Sequence, residues 1–139
     1  MYALIVGGGR VGSSVAKALL REGWEVTVVD ESKESLLRLG EEFTGGFVLG
    51  PGLDVDILKE AGVERADVFV ASTDGDNTNL VISQIAIKQF KVPYVVARIQ
   101  DPARAQFYSE HFGLRTVCPT LATINMLLDG VHRFQRGEV

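Results

Sequence analysis

Gly7, Gly9 and Gly12 stand in the run Gly7-Gly8-Gly9-Arg10-Val11-Gly12, between the apolar stretch Ala3-Leu4-Ile5-Val6 and an amphipathic segment that reaches Leu20. Glycines so spaced where a strand turns into a helix form a cradle for nucleotide phosphates. Gly7 permits the tight turn, Gly9 lets the backbone approach a pyrophosphate, and Gly12 lets the helix lie close on the strand. The next apolar stretch, 25–29, ends in Asp30, at the distance from the glycines where a carboxylate accepts both ribose hydroxyls. Glu31 beside it would repel a ribose 2′-phosphate, so the pair favours NAD or an adenine nucleotide over NADP.

Further polar residues follow later apolar stretches: Gly50, then Ser72-Thr73-Asp74, then Arg98. Arg10 sits inside the glycine loop, where a guanidinium either reaches a terminal phosphate or lies in solvent. Thr73 and Asp74 either bind ligand or cap the helix that starts near Asp76. An arginine ending a Val-Val-Ala stretch must reach solvent or pair with an anion, and an anion is the favoured partner of Arg98. His111 and His132 belong to no cluster of metal-ligand spacing and read as surface histidines. Cys118 has no basic activator next to it in sequence and reads as a small buried hydrophobe. No catalytic dyad is visible.

These residues need a scaffold, and the hydrophobic periodicity supplies one. Strands are expected at 2–6, 25–29, 47–49, 67–71, 94–98 and 115–118. Helices are expected at 10–21, after Ser32 with Leu36, Leu37 and Leu39, after Asp54, at 76–90, from Pro102, and at 119–134. Right-handed crossovers then make the sheet parallel in order 3-2-1-4-5-6. The expected fold is α/β: a Rossmann-like, doubly wound, six-stranded parallel sheet flanked by helices, with the ligand at the carboxyl ends of the strands. The 139 residues make one domain's worth of chain, 1–139.

With 14 basic against 18 acidic residues, a net charge of −4 and no basic stripe, nucleic acid is excluded as a natural partner. No apolar run nears the roughly 20 residues of a membrane span, and the first residues enter a strand without a basic leader, so a cytoplasmic chain is expected. A single cysteine fits a reducing compartment. The closing helix carries Leu121, Ile124, Leu127, Leu128 and Val131 as an apolar stripe that the sheet would not wholly cover, which predicts self-association.

The glycine loop with its arginine, Asp30, Ala71-Ser72-Thr73-Asp74 with Asn79, and Ala97-Arg98-Ile99-Gln100-Asp101-Pro102 together resemble the TrkA-N domain, also called RCK or KTN, over almost the whole chain. The resemblance implies a cytoplasmic regulatory domain of a potassium channel or transporter that binds NAD(H), ATP, ADP or AMP. It implies that Gly7, Gly9, Arg10 and Val11 hold phosphates, that Asp30 holds the ribose, and that Thr73, Asp74 and Asn79 form the far side of the cleft. Arg98 would meet a phosphate, and residues 121–134 would help pair subunits into a homo-oligomer.

Three departures stand out. Gly50-Pro51-Gly52-Leu53-Asp54 replaces the common Gly-Asp-Ala-Thr, Pro119-Thr120 replaces the common Pro-Glu, and a domain acting without the C-terminal ligand-binding lobe of many relatives is expected. A regulatory subunit acting on a separate potassium-translocating membrane polypeptide is the implied role. A small NAD-dependent oxidoreductase is the competing reading, but the cofactor half alone uses up this chain. A purely structural nucleotide- or CoA-binding subunit shares the fold and would lack switching.

Overall fold

Residues of the first strand alternate between two apolar layers, and that alternation fixes the architecture. The computed structural model describes residues 1–139. In β1 (Tyr2–Val6), Tyr2, Leu4 and Val6 point into the larger core, while Ala3 and Ile5 point into the smaller one. A strand buried on both faces belongs in the middle of a parallel sheet, and β1 lies there.

The chain continues through α1 (Arg10–Arg21), β2 (Glu25–Asp30), α2 (Lys33–Leu39), β3 (Gly46–Leu49), α3 (Val55–Glu60) and a 3-10 turn (Val63–Arg65). It then runs through β4 (Val68–Ala71), α4 (Asp76–Lys88), β5 (Tyr94–Arg98), α5 (Pro102–Phe112), β6 (Arg115–Val117) and α6 (Pro119–Gln135). All neighbours are parallel, in the expected order β3-β2-β1-β4-β5-β6. Ala16 of α1 and Leu39 of α2 close the smaller core with Val26 and Val28. Leu58 of α3, Ile82 of α4 and Ala105 of α5 close the larger one around Phe69. Each fully buried leucine or isoleucine contributes about 1.5–3 kcal/mol against its exposed state.

Helix starts are written in the sequence. Ser32 accepts the Glu34 amide at 3.1 Å, Asp54 the Asp56 amide at 2.9 Å, and Asp101 the Ala103 amide at 3.0 Å with Pro102 at the first helical position. Each such cap is worth about 1 kcal/mol.

Besides single-residue shifts at the ends of β3, β4, β6 and α6, the structure departs from expectation at β2, α4, Cys118 and Asp74. β2 runs one residue further, through Asp30, because Asp30 still pairs with Leu49 in the ladder. α4 stops at Lys88, short of Phe90, and the turn before β5 places Lys91 at φ 53°. Cys118 is not a buried hydrophobe. It is half-buried and its Sγ caps α6, accepting from the Leu121 amide and donating to the Gln100 carbonyl, both at 3.4 Å. Asp74 caps nothing; the N-cap of α4 is Gly75, without a side-chain bond. No residue of α6 is buried, and no helix of the chain is long and apolar enough to cross a membrane.

Candidate functional site

The sheet order reverses between β1 and β4, and in such sheets a ligand sits in the crevice outside the carboxyl ends of the strands at that point. Gly7, at φ 103°, brings the end of β1 so close to β4 that a Cβ would lie 2.5 Å from the Ser72 backbone. Ser72 Oγ donates to the Gly7 carbonyl at 3.0 Å and stitches the two ends together. A Cβ on Gly12 would lie 1.8 Å from the Gly7 carbonyl oxygen, so α1 rests directly on the turn. Gly9 differs: nothing stands within 4 Å of where its Cβ would be, and its amide has no acceptor in the chain. An open amide at the start of a 12-residue helix is an anion site in waiting.

Asp30 closes the neighbouring wall. Its Oδ2 accepts the Gly8 amide at 2.6 Å and its Oδ1 the Ser32 amide at 2.8 Å. A carboxylate has about four lone-pair sites, so each oxygen keeps capacity for a hydroxyl donor. From α2, Arg38 donates Nη1 to the Gly8 carbonyl at 2.9 Å.

The far wall is built on Asn79, 1% exposed in α4. Asn79 Oδ1 accepts the Thr73 amide at 3.0 Å and the Thr73 hydroxyl at 2.7 Å. Its Nδ2 donates to the Thr73 carbonyl at 3.0 Å and the Arg98 carbonyl at 2.7 Å. The amide is thereby saturated, and Asn79 joins the ends of β4 and β5. Asp74 lies 3.6 Å from Arg98 Nη1 at the rim, while Arg98 Nε is buried without a partner. Asp76 holds the next turn through the Gln100 and Asp101 amides, at 2.8 and 3.1 Å.

Between these walls lies a cleft of about 430 Å³. Of the residues singled out from the sequence, Gly7, Gly9, Asp30, Gly50, Thr73 and Asp74 line it together. Arg10, Val11, Gly12, Asn79 and Arg98 do not. Arg10 and Val11 lie exposed on the first turn of α1, Gly12 is buried against Gly7, Asn79 is spent on backbone, and Arg98 stands behind Asp74. Sequence reading missed Arg38, Ser35 and Thr78, which also line the cleft. Their only advance signal was position on helices that flank a glycine loop.

The lining fits a nucleotide: an open amide at a helix start for phosphate, a carboxylate with spare lone pairs for ribose, and hydroxyls opposite. Glu31 and Glu34 join Asp30 and Asp74 there, against one cation, Arg38.

Known proteins resemble the chain in sequence and in fold. The chain is 43% identical over 133 residues to the Trk system potassium uptake protein TrkA of Streptomyces coelicolor, covering 96% of this chain and 57% of that protein. It is 34% identical over 110 residues to the Trk system potassium uptake protein TrkA homolog of Methanothermobacter thermautotrophicus, covering 79% of this chain and 50% of that protein. The chain thus spans about half the length of these relatives. Its fold matches that of the Shewanella denitrificans Kef CTD in AMP bound form, with TM-score 0.79, 22% identity, and 96% and 82% of the two chains covered. It also matches the GsuK channel bound to NAD, with TM-score 0.68, 19% identity, and 85% and 21% covered. The glycine loop, Asp30 and the Asn79 tie all fall within residues 3–119, which match the TrkA-N domain model, and the chain belongs to the TrkA-N domain family.

Proposed function

We propose that residues 1–139 act as one nucleotide-sensing domain in the regulation of potassium uptake, binding NAD(H) or an adenine nucleotide (ATP, ADP or AMP) in the cleft beside Gly9 and Asp30. The observation that carries this reading is the pairing of an open Gly9 amide with a carboxylate already joined to the same loop. Relatives named as potassium uptake proteins support the physiological setting. The domain would work at the cytoplasmic side of a separate potassium-translocating membrane subunit, as a homo-oligomer paired through α6.

A ligand moves such an assembly only through its difference in affinity for two arrangements, and about 1.4 kcal/mol of difference is tenfold. The path from cleft to α6 is short. Asp74 meets Arg98 at the end of β5, and Gln100, two residues on, meets Cys118, the cap of α6. The reading is one of sensing and not of turnover, and the support for it is that relatives are named as potassium uptake proteins. Calorimetric titration with NAD, NADH, ATP, ADP and AMP tests the proposal: saturable binding of at least one is expected, and heat-free titrations with all five overturn it.

A further inference from the structure

Gly8 is gripped from both sides, and the residue that grips its carbonyl is Arg38. Three glycines in succession, Gly7 to Gly9, give the loop more backbone freedom than any other tripeptide. A phosphate cradle, however, needs its amides aimed before the ligand arrives. A trans peptide sets C=O and N–H in opposite directions. The bond from Arg38 Nη1 to the Gly8 oxygen, 2.9 Å, therefore also sets where the Gly9 amide points. Of the three glycine amides in the run, that of Gly7 is spent on the Val29 carbonyl and that of Gly8 on Asp30, and that of Gly9 is left open beside the cleft.

Arg38 is held for this task. Lys17 of α1 donates Nζ to the Arg38 carbonyl at 2.8 Å, tying the last turn of α2 to the helix that the loop begins. Ser35, one turn earlier, packs beneath the loop, where a Cβ on Gly8 would lie 2.8 Å from its own Cβ. Arg38 is the only cation lining the cleft, yet it forms no ion pair with Asp30, Glu31, Glu34 or Asp74. Its partner is the Gly8 backbone carbonyl.

We propose that Arg38 is a positioning residue that determines affinity for the phosphate portion of the ligand, by fixing the Gly8–Gly9 peptide with the Gly9 amide turned to the cleft. The proposal rests on the nucleotide reading above. Arg38 is exposed and its removal leaves the cores intact, so Arg38→Ala is expected to fold with an unchanged unfolding midpoint.

The test compares ADP, NADH, NADPH and adenosine on wild type, Arg38→Ala and Arg38→Lys by calorimetry, with adenosine read by competition. Arg38→Ala is expected to weaken ADP, NADH and NADPH alike by about three- to tenfold, the discounted effect of one exposed charged hydrogen bond. Adenosine, which has no phosphate, is expected to bind unchanged, and Arg38→Lys, which can still donate to the Gly8 oxygen, to recover most of the loss. In the ligand-free protein the Gly9 amide resonance should shift in Arg38→Ala and return toward its place in Arg38→Lys. Equal losses for adenosine and ADP would overturn the proposal in favour of contact with the nucleoside. A loss confined to NADPH would overturn it in favour of a 2′-phosphate site. Wild-type binding with indifferent variants removes Arg38 alone, whereas a wild type that binds none of the four removes the nucleotide reading itself.

Discussion

Asp30 and Gly8 lie 22 residues apart in sequence, and the carboxylate of one accepts the amide of the other at 2.6 Å. The contact gives Asp30 two tasks, since the oxygen that steadies the glycine loop sits on the group that would receive ribose hydroxyls. Asp30→Ala is expected to weaken NADH and ADP by about ten- to a hundredfold, the 1.5–3 kcal/mol of charged hydrogen bonds. Adenosine should lose affinity as well, because the ribose is common to all three. Titrations of a variant shown to be folded decide this, and undiminished binding would remove Asp30 from the site.

Two glycines of the loop should separate stability from binding. A methyl on Gly12 meets the Gly7 carbonyl at 1.8 Å, so Gly12→Ala must lift α1 off the turn and is expected to cost about 3 kcal/mol or more. A methyl on Gly9 meets nothing within 4 Å, and its φ of −69° suits any residue. Gly9→Ala should keep its stability within about 1 kcal/mol of wild type while binding phosphate-bearing ligands poorly. Chemical denaturation and ligand titration on both variants would expose any deviation from this crossed pattern.

The sheet was legible because its signals are local. The continuous apolar run Tyr2–Val6, caps at Ser32, Asp54 and Asp101, and turns after each apolar run all lie within a few residues of what they control. The glycine loop was legible for the same reason. What stayed hidden depends on docking between distant segments: Arg38 reaches back 30 residues to Gly8, and Asn79 joins Thr73 to the end of a strand 19 residues on. Cys118 carried the side-chain signature of a core residue, and only the position of α6 made its sulfur a cap.

Asn79 offers a strict test of that hidden layer. Its amide satisfies Thr73 N–H, Thr73 Oγ1–H and two carbonyls from within the fold. Asn79→Leu strands all four groups around an apolar side chain of similar size and is expected to destabilise the protein by about 3 kcal/mol. Thermal unfolding should report the loss even without ligand. A variant as stable as wild type would show that water replaces the amide at no cost.

Self-association should run through α6. Leu127 is 67% exposed and Val131 62%, and no residue of the 17-residue helix is buried, so the stripe holds nothing of its own chain together. Covering such side chains with a second copy contributes about 1.5 kcal/mol each. Leu127→Glu with Val131→Glu removes two of them and adds charge to the seam. The dissociation constant is expected to rise by about a hundredfold or more, with unchanged circular dichroism because neither core includes α6. Sedimentation velocity across a concentration series, with and without nucleotide, measures both proteins. A wild type that stays monomeric at the highest concentration, or a double variant that associates as tightly, would show that the stripe is not the seam, and the coupling of cleft to assembly through Cys118 and α6 would lose its physical basis.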